Sequence, residues 1–387
     1  MVDLHKEIKL SDFLPKKSGA KARPVKVKAE AKRKPLPPEI VGLKIEAGGL
    51  TAAHVVNNGG KKLLRIAQSP LDAGIVNGGE VRDPAGLATA LNELFSTNSL
   101  PRNCVRLGLA NTRIGVRTIE ITGAEDSQQL QNAVSFRAHE LLSTPLDEAV
   151  LDFQVLDTST NDEGQPVHRV LLVIALRDSV DRQLAATDAA NLEVTGIDLD
   201  AFALLRAALA PVGENPDEPS AVIAVSIDHD LTTLAISDGT TCHFTRVLEW
   251  GTANVDLALG RALKVEPAGV PEIRSGLSLE PTGEAPAHGQ GASQPADIVR
   301  REMQTLAREL LSSIRFYGSQ PGATPVQSVV VSGALVDLPG FSRRLSSDLG
   351  LPVSSADPFG RVELAPDVIR PEQSGGLVVA VGLGIED

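Results

Sequence analysis

Two separated stretches of the chain order their apolar and polar positions in the same way. Val41–Leu64 (VGLKIEAGGLTAAHVVNNGGKKLL) reads as an apolar strand, a short polar turn and a Thr-led apolar strand, with a turn at Asn58-Gly59 before a third strand. Val222–Val247 repeats that order, with Asp238-Gly239 at its second turn. Elsewhere the period shifts to that of a helix. Asp83–Phe95 carries Leu87, Leu91 and Leu94 on one stripe behind an Asp-Pro start. Val105–Ala110 and Gly115–Ile121 read as strands, and Gln128–Leu142 as a helix. Ala149–Leu156 and Val167–Leu176 read as strands around the polar loop Thr158–Pro166. Ser179–Ala190 and Ala201–Ala210 read as helices, followed by a Pro/Asp/Glu linker at Pro211–Pro219.

After the second hairpin unit, Thr252–Leu263 is helical in pattern. Pro267–Pro295 has little apolar periodicity and reads as a long loop. Asp297–Tyr317 is a helix with Met303, Leu306, Leu310, Ile314 and Tyr317 in line. Val326–Val331 and Pro352–Ser355 read as strands, Phe341–Leu349 as a helix, and Gly375–Ile385 as a small-residue helix or strand. Two like hairpin units suggest a duplicated α/β fold that clamps a nucleotide. The strand–helix–strand–strand block at 104–190 reads as a compact α+β module.

Charge divides the chain. Residues 1–38 carry 11 Lys/Arg and 4 Asp/Glu, a net of +7, which leaves −19 of the overall −12 for the body. An acidic body argues against nucleic acid as a partner. The basic tail reads as a solvated leader, with an anionic membrane face or an acidic partner as the other readings. It ends in the stiff spacer Lys34–Pro38, and Ile8–Pro15 (IKLSDFLP) is its one apolar patch. No apolar run reaches the ~18–20 residues of a membrane span, and no secretory signal is read at the start, so a cytoplasmic protein is expected. Cys104 and Cys242 have no ligand-like spacing, so neither a disulfide nor a metal framework is expected.

The candidate chemistry sits in the two hairpin turns. Gly59-Gly60-Lys61 lacks the spacing of a Walker A loop, no G-x-S-x-G elbow is present, and Asp228-His229-Asp230 reads as a turn rather than a metal site. Small residues in a strand–turn–strand let backbone N–H groups approach phosphates. Gly48, Gly49 and Thr51 offer this in the first turn, and Asp230, Thr232 and Thr233 in the second. Magnesium-assisted phosphoryl transfer also needs carboxylates at the metal. The first turn offers Lys44 and Glu46; the second offers Ser226 and Asp228.

These residues resemble the PilM family of bacterial type IV pilus assembly, proteins with an actin-like ATPase fold related to the division protein FtsA. Val41–Thr51 (VGLKIEAGGLT) resembles the family's VGLDIGSSSIK, and Ile75–Asp83 its next stretch. Pro145–Leu156 (PLDEAVLDFQVL) is similar to its EEAVLDFQVL, and Glu309–Tyr317 to its ELRRSLDFY. Val329–Gly333 (VVVSG) resembles the adenosine motif, while Asp357–Phe359 and Ala380–Leu383 also fit. The departures fall on the phosphate turns. Lys44-Ile45-Glu46 stands for the family's Asp-Ile-Gly, and Ser226-Ile227-Asp228 for its second Asp-x-Gly. Val270–Ser275 (VPEIRS) stands for its nucleotide-contacting AExLK helix, where Pro271 is expected to break the helix and Ser275 replaces the Lys.

The resemblance implies an α/β, two-lobed actin-like (ribonuclease H-like) fold with an inserted small α+β domain of SHS2 type. Residues 1–38 would be the tail, 39–103 and 191–215 the first lobe, 104–190 the insert, and 219–387 the second lobe with a loop at 267–295. A scaffold is expected rather than an enzyme, with no catalytic residue and no metal ligand assigned. Lys44, Gly48, Gly49, Thr51, Asp228, Thr232, Thr233, Ser332 and Gly333 form a vestigial nucleotide site, and ATP is the nucleotide it would take. The implied partner is the cytoplasmic N-terminal peptide of a PilN-type membrane protein, with Phe136 and Phe153 beside its groove and other pilus platform or motor proteins around it. That would place the protein at the inner face of the cytoplasmic membrane. The tail's Ile8–Pro15 is loosely similar to the INLLP-type segment of the family's partners and would occupy the groove as an autoinhibitor or as a linker to a neighbouring copy, with a plain leader as the favoured reading. The alternatives are a working ATP-hydrolysing switch and an FtsA-like division factor, the latter disfavoured by the chain's ending at Ile385-Glu386-Asp387.

Overall fold

The computed structural model describes residues 38–141, 145–209, 220–280 and 295–386. The readings placed on the basic tail, on the whole 211–219 linker and on 281–294 lie outside the described residues.

The chain opens with three antiparallel strands, β1 (Glu39–Glu46), β2 (Gly49–Asn57) and β3 (Lys61–Pro70). A two-strand hairpin, β4 (Val76–Asn77) and β5 (Glu80–Val81), leads to α1 (Pro84–Thr97). The Asp83 carboxylate accepts from the amides of Ala85 and Gly86, and Pro84 needs no amide partner in the first turn, so the helix starts there. Leu87, Leu91 and Leu94 bury its inner stripe. Next, β6 (Val105–Leu109) runs parallel to β1.

A small module follows: β7 (Gly115–Thr122), α2 (Ser127–Leu141), β8 (Ala149–Thr160) and β9 (Pro166–Leu176). Its antiparallel sheet has the order β7-β9-β8, and Ile119, Ile121, Val134, Ala138 and Leu172 form a separate core. The chain then returns through α3 (Arg177–Ala189), which packs on α1, to β10 (Val194–Leu199) and α4 (Asp200–Ala208).

The second half repeats the first with β11 (Ala221–Ile227), β12 (Thr232–Ser237) and β13 (Cys242–Leu248). Helices α5 (Thr252–Leu263), α6 (Val270–Ser275) and α7 (Pro295–Gly318) precede β14 (Val326–Gly333). Last come α8 (Phe341–Leu349), β15 (Val353–Ser355), β16 (Glu363–Leu364) and α9 (Val378–Gly384). The second sheet has the order β13-β12-β11-β14-β15, and the first runs β3-β2-β1-β6-β10 with β16 added beyond β3. In each, three antiparallel strands are followed by two parallel ones. The duplication seen in the hairpin pattern is thus a duplication of the whole sheet. Helix α4 lies against β11 and β12, where Ala224 and Ala235 supply the small surface that lets it approach.

Four expectations need correction. Residues 104–109 belong to the first sheet, not to the insert, because VRLGL is buried along its whole length and pairs between β1 and β10. A short apolar run buried on both faces is an interior parallel strand. Residues 363–384 do not stay with the second half: β16 pairs with β3, and α9 packs on β1 and β2. The 267–295 loop contains α6, and Pro271 does not break it, since a proline in the first turn lacks only an amide that has no partner there. The Thr158–Pro166 loop is shorter than read, because β8 continues to Thr160. The apolar pattern alone does not reveal β10, because Gly196 and Asp198 interrupt it.

Candidate functional site

The two equivalent hairpin turns, β1–β2 and β11–β12, meet at the junction of the sheets. Lys44 is the sixth residue of β1, and an interior strand buried on both sides gives its side chain no route to solvent: it is only 2 % exposed. Its ammonium forms an ion pair with the Asp228 carboxylate at the end of β11, which is 7 % exposed. The Ser226 hydroxyl donates to the same Asp228 Oδ1 at 2.9 Å.

Three further contacts hold the second turn against the first half of the chain. The backbone amide of His229 donates to Glu46 Oε2 at 3.0 Å. The amide of Gly78, in the β4–β5 turn, donates to Asp230 Oδ2 at 2.6 Å. Gly48 rests on the His229 side chain, so close that a Cβ at Gly48 would lie 2.8 Å from His229 Cβ. From the other side α5 holds the second turn, as the amides of Thr252 and Ala253 donate to the carbonyls of Asp228 and His229 at 2.9 and 2.7 Å.

Asp200, the first residue of α4, lies against Gly108 and makes this a site of three carboxylates around one ammonium. Burial raises its pKa to about 7; Lys44 opposes the shift, while Asp228, Glu46 and Asp198 add to it. Burial also raises the pKa of Glu46, against the pull of Lys44. For Lys44 burial acts downward, yet Asp228, Glu46 and Asp200 together hold its pKa above the ordinary lysine value. Lys44 is therefore charged in the folded protein.

The remaining candidates are spread around this centre. Gly49 packs on the Ser69 carbonyl, and Thr51 is buried in β2 opposite Lys44. The Thr232 hydroxyl donates to the Trp250 carbonyl at 2.7 Å, whereas Thr233 Oγ1 is buried with no hydrogen bond among the described residues. Ser332 donates to the Val225 carbonyl, and Gly333 is wedged between the Ile227 carbonyl and Gly375. Phe136 and Phe153 lie in the small module; Phe136 is 67 % exposed on α2, and Phe153 packs partly against the module's core. Sequence pattern alone does not single out Asp200, His229 and Gly78 as site residues. Only the pairing of distant turns reveals them, and a single sequence gives no signal of that pairing.

Between the two turns Gly48 touches His229, and the His229 amide donates to the Glu46 carboxylate. Among the described residues no group of three His, Cys, Asp or Glu side chains is placed to hold a metal ion. No described helix is long and apolar enough to cross a membrane.

Comparison with known proteins agrees with this fold. A solved PilM-PilN type IV pilus biogenesis complex is similar at a TM-score of 0.74 and 24 % identity, over 90 % of this chain and 98 % of that one. Ethanolamine utilization protein EutJ from Carboxydothermus hydrogenoformans follows at 0.54 and 15 %, over 91 % and 90 % of the two chains. MreB5 of Spiroplasma citri bound to ADP stands at 0.51 and 10 %, over 90 % and 95 %. The architecture is the two-lobed actin-like one. The model of the type IV pilus assembly protein PilM matches residues 42–387, and the chain belongs to that family.

Proposed function

We propose that this protein is a nucleotide-independent scaffold of the type IV pilus assembly platform, gripping the cytoplasmic N-terminal segment of a PilN-type membrane protein. The observation that carries the proposal is the direct union of the two hairpin turns through Lys44–Asp228 and Glu46–His229, across the cleft where a nucleotide would bind. Family membership supports the pilus role, and the similar solved complex, which joins a PilM to a PilN, supports the partner. With no membrane-crossing helix among the described residues, such a partner would be the protein's link to the inner face of the cytoplasmic membrane. The small module, with Phe136 exposed on α2, is the surface we assign to that contact.

Co-purification tests this with the full chain and the pilus platform membrane proteins, with and without Mg-ATP. Equal recovery in both conditions supports a scaffold that needs no nucleotide. Recovery only with Mg-ATP would favour a nucleotide-gated switch, and no recovery in either would remove the platform role.

A further inference from the structure

We infer that Lys44, Glu46 and Asp230 form an internal clasp, a tethered cation and two tethered anions that hold the two lobes shut in place of a bound small molecule. Three observations converge. Each side chain links the first half of the chain to the second, with partners 184, 183 and 152 residues away: Lys44 to Asp228, Glu46 to the His229 amide, and Asp230 to the Gly78 amide of the β4–β5 turn. The two anions sit on backbone N–H groups in turns, the kind of donor that takes up free anions when nothing internal competes. The cation is buried in a strand whose neighbours Leu43 and Ile45 are apolar core, a place where an unpaired ammonium is costly.

A plain buried ion pair is the simpler explanation, and it accounts for Lys44 and Asp228 alone. It does not account for two further carboxylates that each reach from one half of the chain to a bare backbone amide of the other. Apolar side chains could have filled the same space at no electrostatic cost, so charged groups here select one relative position of the lobes rather than adding stability. A tethered side chain also cannot dissociate. The clasp therefore fixes one lobe arrangement whatever nucleotide the surroundings contain, and it would do so whichever partner the protein serves.

The test uses the full chain with spin labels at Glu93→Cys on α1 and Ser312→Cys on α7, both exposed and one in each half. Cys104 and Cys242 are buried. Inter-label distances are measured alongside hydrogen exchange of the turn peptides 45–50 and 225–233. The unclasped variants are Lys44→Met and Glu46→Ala. Each is expected to broaden the distance distribution and to speed exchange at both turns by about tenfold, with the interior of β14 unchanged. The charge-reversed pair Lys44→Asp/Asp228→Lys should narrow the distribution again. If Lys44→Met does not fold, Asp230→Ala on its partly exposed turn carries the test, with faster exchange at Gly78 as the expected result. Turns that exchange at the wild-type rate with an unbroadened distance in the folded variants would overturn the clasp. So would a reversed pair as open as the single variants.

Discussion

Replacing Lys44 by Met removes the charge and keeps most of the volume, so little of its cost should come from a cavity. What remains is electrostatic. The Lys44 ammonium is 2 % exposed and lies among Asp228, Glu46 and Asp200, so its loss strands the Asp228 carboxylate, to which the Ser226 hydroxyl still donates. Removing one partner of a buried pair costs about 3–5 kcal/mol. Asp228→Asn in the same background takes away the stranded charge and keeps the Ser226 contact. The double variant should therefore recover about 2 kcal/mol relative to the sum of the single losses. Trp250 is the single tryptophan of the chain, is buried, and accepts a hydrogen bond from Thr232 beside the second turn. Its fluorescence in a urea titration reads unfolding at the site itself, which matters in a protein with more than one core. A loss below about 1 kcal/mol for Lys44→Met, or strict additivity in the double variant, would refute a pair that works as a unit.

Asp200 predicts a pH dependence. With a folded pKa of about 7 against an ordinary value near 3.9, the folded chain holds a proton that the unfolded chain has lost between those limits. Its contribution is greatest at about pH 4, falls as pH rises toward 7 and is flat above, a span of up to about 4 kcal/mol. Asp200→Asn should stabilise the protein at pH 8 relative to wild type and flatten that slope in urea titrations across the range. Gly48→Ala drives a methyl into the His229 side chain and should cost about 1–3 kcal/mol, read by the same fluorescence. Phe136→Glu should leave the thermal midpoint unchanged, as an exposed substitution does, and under the proposed function it should weaken binding of a PilN-type peptide in a fluorescence-polarisation titration. Arg106, buried, donates to the carbonyls of Leu383 and Ile385 at 2.7 and 2.9 Å. Arg106→Met should cost about 2–4 kcal/mol and speed hydrogen exchange in α9 before any other helix.

The hairpin units were legible because strand period, Asn-Gly and Asp-Gly turns and Thr-led strands are local signals. So was the amphipathic stripe from Met303 to Tyr317, which folds as α7. What escaped was fixed by contacts distant in sequence. Nothing in VRLGL says that β6 pairs with β1 rather than with its neighbour β7, and nothing in EL at 363–364 says that the chain recrosses to β3. At the site, Lys44 and Asp228 were each recognisable as departures from a phosphate turn. That the two departures compensate each other became visible only when 184 residues of chain folded back to bring them together. Asp200 had no local mark at all, since it begins a helix directly after the overlooked strand β10.

Isothermal titration of Mg-ATP into the full-length protein bears most directly on a cleft closed by its own side chains. If Lys44–Asp228 and Glu46–His229 occupy the phosphate position, the titration gives no saturable heat. Stoichiometric binding in the micromolar range would contradict that and show a cleft open to nucleotide.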